Sequence, residues 1–149
     1  MNNYFLLLAG LLLTSWTQAQ TIPTPQPGYT YKVETGVASQ QVFISGQRPF
    51  NTNGELVGAG DLAAQTRQVF ENLKTALGTV GMTLRDVTQI TYHLKGVAGQ
   101  VNPAASQLAA NTGAVFFPQG APPRVADTKS IAKIVRDDVL IEVEVIAIK

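Results

Sequence analysis

Arg124 is the side chain in this chain best suited to hold a small anion. It follows Pro122-Pro123, which stiffen the backbone and present it at the start of a strand. A guanidinium offers a fixed donor fork that matches a carboxylate through two parallel hydrogen bonds. Taken alone, the residue is better read as a surface arginine or a structural ion pair. Glu142 and Glu144 alternate with Ile141, Val143 and Val145, so a strand would put both carboxylates on one face with Leu140, Ile146 and Ile148. Carboxylates mixed with large aliphatics do not make an ordinary solvent face. They imply burial against another surface, such as a neighbouring subunit's, with donors or raised pKa values for the acids. Ser45 lacks a histidine base in a matching motif and is not read as a nucleophile. His93 is the sole histidine, and no His-x-x-x-His or Glu-x-x-His spacing accompanies it. It is read as a satisfied structural histidine, Glu144 as structural, and no metal is expected.

The elements that must position these residues follow from periodicity. Residues 41–47 join β-branched and aromatic side chains and carry Ser45 and Gly46 near their end, which predicts a strand. A weaker strand is expected over 29–33, with Tyr31 packing in it. The stretch 48–54 closes on Asn53-Gly54 and reads as a loop. Asp61 supplies a cap, and Leu62, Thr66, Val69, Phe70, Leu73 and Leu77 recur at helical spacing. That helix should end near Gly78 or Gly81. A capped turn over 83–86, a strand over 87–95, a helix over 101–111 and strands over 122–133 and 139–148 complete the order. Val139, Ile141, Val143 and Val145 form a dry face that belongs under the helices. The expected class is α+β, a mixed sheet with two helices on one face.

The chain has 149 residues, suited to one domain, with net charge +1 and 14% charged residues. No basic field exists to hold a phosphate backbone, so nucleic acid is not an expected partner. Cysteine is absent, which excludes disulfides and thiol catalysis. Residues 5–13 form an apolar run too short to span a bilayer, and Thr17-Gln18-Ala19 follows it. Residues 1–19 therefore read as a secretory signal peptide cut after Ala19, although its start carries no lysine or arginine. Residues 20–30 read as a proline-rich extended arm and 31–149 as the domain. A periplasmic or secreted protein, free of the membrane after cleavage, is expected.

Ser45-Gly46-Gln47, the Gly54-Glu55-Leu56-Val57-Gly58 loop, Asp61 through Gln68, Val101-Asn102, Pro122-Pro123-Arg124 and Ile141-Glu142-Val143-Glu144-Val145-Ile146-Ala147 occur in an order that resembles the Rid family of reactive intermediate deaminases, also called YjgF-like. The resemblance runs from about Val42 to the C-terminus. It implies a chorismate-mutase-like fold and a homotrimer, with sheets packed into a central barrel and clefts between subunits. It also implies catalytic roles for Arg124, gripping the carboxylate of a small imino acid, and Glu142, orienting or activating water; the other reading of Glu142 is that it pairs with a basic neighbour and only holds the subunit interface. Pro123 stands where the family pattern has alanine. Ser45, Gly46, Asn102 and Tyr31 are the implied substrate-binding residues. Asn102 would cap the second helix or reach across a subunit boundary. Tyr31 lacks the flanking Gly-Pro-Tyr-Ser-Gln motif.

The implied activity is hydrolytic deamination of reactive 2-imino or enamine acids to 2-keto acids and ammonia, without a cofactor because an imine is already electrophilic. The alternative is a non-catalytic module that binds small carboxylates such as 2-keto acids in the periplasm. A general protective role through exposed apolar surface is a third, weaker reading. Ribonuclease activity is argued against by the near-neutral charge and the lack of a histidine pair.

Overall fold

A computed structural model describes residues 31–35, 40–117 and 123–149, the first five as backbone. The expected signal peptide and proline-rich arm, and Pro122, lie outside the described residues. The element order is β1 (Tyr31–Thr35), β2 (Gln40–Gln47), α1 (Leu62–Thr79), a single 3₁₀ turn (Leu84–Asp86), β3 (Val87–Lys95), α2 (Pro103–Ala114), β4 (Arg124–Ile131) and β5 (Ile141–Ile148). The strands form one sheet in the order β1-β2-β5-β3-β4. Only β3 and β4 pair in parallel, with α2 as the crossover between them; the other neighbours are antiparallel. The sheet is mixed and both helices cover one face, as the residue pattern predicts.

Helix α1 begins where the Asp61 carboxylate accepts the Ala64 amide at 3.0 Å. Its stripe of Val69, Phe70, Leu73 and Leu77 is fully buried. That stripe packs on Val42 and Ile44 of β2, Ile90, Tyr92 and Leu94 of β3, and Ile141, Val143 and Val145 of β5. Among the described residues no helix is long and apolar enough to cross a membrane.

Helix α2 runs three residues past the expected Asn111, to Ala114. The reason is tertiary. Gly113 packs against α1 and β3, where a Cβ would stand 2.5 Å from the Phe70 ring and 2.8 Å from the Tyr92 hydroxyl. Phe116, just past the helix, then stacks on Phe70 at 5.2 Å. Strand β5 starts at Ile141, two residues later than expected. Its entry is held by a buried side chain, while the Leu140 carbonyl accepts the Lys95 amide of β3 at 2.9 Å. Gln65 accepts the Leu140 amide at 2.7 Å and donates to the carbonyls of Asp138 at 2.8 Å and Gly58 at 3.0 Å.

Candidate functional site

The helix-free face of the sheet carries the polar cluster. At the end of β2 the register shifts between Ile44, paired with Val145, and Gln47, paired with Val143. Ser45 and Gly46 together therefore oppose the single residue Glu144, which is a β-bulge. Gly46 adopts φ +71°, the left-handed region that glycine enters without strain. The bulge turns the chain so that Arg48 reaches back over β5. Its Nε donates to Glu142 Oε2 at 2.6 Å. Asn72 of α1 pins the loop that carries Arg48, donating to the carbonyls of Arg48 at 2.8 Å and Phe50 at 2.9 Å.

Glu144 accepts the Ser45 hydroxyl at 3.0 Å through Oε1. Its other oxygen lies 3.4 Å from His93 Nε2, but off the line a hydrogen bond needs. His93 Nε2 is a buried atom with no hydrogen-bond partner. The expectation of a satisfied structural histidine is therefore corrected: the ring is held by its strand, and its inward nitrogen is left unpaired beside two acids. Phe43, Ser45, Gln89, Thr91, Glu144 and Ile146 line an open hollow of about 310 Å³ next to this cluster.

The expected site residues fall into two groups. Ser45, Gly46 and Glu142 come together at the bulge. The nearest atoms to a Cβ built on Gly46 include the Glu142 carboxyl at 3.8 Å. Tyr31 opens β1 opposite Ile44, one residue from Ser45 in the ladder. Arg124 stands apart. It begins the edge strand β4 in register with Gln89, whereas Glu142 is in register with His93. With about 4.8 Å per strand step and about 3.3 Å per residue, the two backbones are roughly 16 Å apart. Arg124 is exposed and has no ion pair among the described residues. Asn102 caps α2, accepting the amides of Ala104 at 2.9 Å and Ala105 at 3.2 Å. Capping was one of its two expected roles.

Sequence reasoning missed Arg48 and the placing of His93 beside the acids. Arg48 follows directly on the Ser-Gly-Gln string, yet it read as part of a loop. His93 and Glu142 are 49 positions apart, and only the β3–β5 register makes them neighbours.

The family model for endoribonuclease L-PSP matches residues 20–149. The chain belongs to this family, the Rid or YjgF group. Among its relatives, the 3-aminoacrylate deaminase RutC of Acinetobacter baylyi is 36% identical over 124 residues, covering 83% of this chain and 90% of that protein. A RutC family protein of Pyrococcus horikoshii is 36% identical over 133 residues, covering 87% of this chain and 94% of its own. The crystal structure of the Rid family member YyfB of Yersinia pestis superposes with a TM-score of 0.61 at 34% identity, covering 72% of this chain and 77% of that one. The Rid architecture, with its mixed sheet and two covering helices, is thus the architecture of this chain, and the family includes deaminases.

Proposed function

We propose that this protein hydrolyses small 2-imino and enamine acids to 2-keto acids and ammonia, in clefts completed between protomers of a trimer. The observation that carries this reading is the division of the site. The bulge presents Ser45, Gly46 and Glu142 on one protomer, while Arg124 sits exposed and, among the described residues, without an ion pair on an edge strand roughly 16 Å away. That separation exceeds the combined reach of the two side chains, so they do not touch within one protomer, which supports a cleft that a second copy completes. The helix-free face has apolar surface for such a copy, with Ile148 at 43% exposed. The deaminase name of one relative supports the reaction class.

In this reading Arg124 takes the substrate carboxylate in a two-point bond. The Gly46 amide and the Ser45 hydroxyl place the imine carbon. An enamine is first protonated at C3 to give the iminium. Water, aligned by Glu142, adds to C2 and loses a proton; the C2–N bond then breaks, ammonia leaves, and the C2–O bond becomes the keto group. The uncatalysed reaction is already quick, so positioning and charge complementarity suffice. No second histidine partners His93 for the acid–base pair that RNA cleavage would use.

The test is a semicarbazide-coupled assay with iminopropionate generated in place. Acceleration by the wild type and its loss in Arg124→Ala support deamination. Equal rates with and without protein leave a carboxylate-binding module, which calorimetry with 2-keto acids then measures. We place the mature protein in the periplasm or outside the cell. N-terminal sequencing should find Gln20 first, and an intact Met1 on cytosolic protein refutes export.

A further inference from the structure

We propose that His93, Glu142 and Glu144 form a site for one divalent transition-metal cation of the zinc class, on the helix-free face of the sheet. His93 and Glu142 are paired directly across β3 and β5, and Glu144 follows on the same face of β5. One candidate ligand atom from each of the three lies within 4.8 Å of the others. A tetrahedral zinc site with bonds of about 2.0–2.2 Å needs them roughly 3.4 Å apart, a contraction that rotation of two glutamate side chains supplies.

The second observation is the unpaired imidazole nitrogen. The His93 side chain is only 14% exposed, and its Nε2 is buried without a hydrogen bond. A buried polar atom left in this state is costly. A cation at the common focus satisfies it and both acids at once. Charge points the same way. Among the described residues one guanidinium, Arg48, meets Glu142 of the two acids, and the lysine in register with His93, Lys129, is drawn to Asp127 at 3.7 Å. Each acid is also already oriented from outside the triad. Arg48 holds one oxygen of Glu142 and Ser45 holds one oxygen of Glu144, which is how metal-binding carboxylates are usually braced. An imidazole with two carboxylates favours zinc, cobalt or manganese over calcium or magnesium, and leaves coordination positions open. Occupancy would draw Glu142 away from the water-aligning role given to it above.

The experiment uses the untagged, chelator-treated full chain, titrated with Zn²⁺ and Co²⁺ by calorimetry. One equivalent per chain is expected, with a visible Co²⁺ absorption band. His93→Gln and Glu144→Gln should each weaken binding at least tenfold while Asp127→Asn leaves it unchanged. Because His93 is the sole histidine, its ring nitrogen resonances report on the wild type without mutation and should shift on zinc addition. No saturable binding, unshifted imidazole resonances, or variants that bind like the wild type would each overturn the site. None of these readouts uses deaminase activity, so failure of the metal site and failure of the deaminase reading are told apart.

Discussion

Arg48 Nε sits 2.6 Å from Glu142 Oε2, joining the loop after the β2 bulge to the middle of β5. The glutamate is 14% exposed and the arginine 37%. Removing the arginine leaves a mostly buried carboxylate without its charged donor. Arg48→Ala should lower stability by about 1–3 kcal/mol, less than for a fully buried pair. Arg48→Lys should recover part of the loss, since it restores the charge without the planar fork. Urea unfolding measures both, and an unchanged midpoint in Arg48→Ala refutes the role.

Arg124 should behave in the opposite way. It is exposed on an edge strand, so Arg124→Ala should leave stability within about 0.5 kcal/mol. It should nevertheless cut kcat/KM for an imino acid by about 100-fold, the loss expected when a charged two-point contact disappears.

A cleft shared between protomers predicts complementation. Arg124→Ala and Glu142→Gln, each inactive alone, should regain a fraction of wild-type activity after being unfolded together and refolded. Activity that stays at the single-variant level would place both residues in one protomer's own site, or in none.

Gly46→Ala tests the bulge. Space is not limiting, because the nearest atoms to a new Cβ are 3.7 Å away or more. The cost comes from φ +71° and should be about 1–2 kcal/mol. Activity should fall further than stability, since Ser45 and Arg48 are both aimed by that turn. Native-like turnover in this variant would remove the bulge from the mechanism.

Tyr92 gives a pH signature. Burial pushes its phenol up from 10.0 to about 12, because the phenolate would lose its hydration. The folded state thus holds this proton more tightly than the unfolded one. Its contribution is complete below pH 10 and is lost as pH rises from about 10 to about 12, with a slope near 1.4 kcal/mol per pH unit. Tyr92→Phe should flatten that part of the stability curve. A wild-type curve already flat from pH 10 upward would contradict it.

Periodicity alone determined the helix over α1, the strands and the dry face of β5, because burial of a regular element forces one apolar side every 3.6 or 2 residues. The Asp61 and Asn102 caps were equally legible, since a cap bonds amides only two or three positions away. The Ser45-Gly46-Gln47 and Pro122-Pro123-Arg124 strings pointed to the family for the same local reason. Tertiary structure alone decided what the acids meet. Glu142 finds Arg48 across 94 positions and His93 across a strand pair. Gly113 continues α2 because Phe70 and Tyr92 close around it. Such contacts are set by strand register and by packing between layers, which no stretch of neighbouring residues encodes.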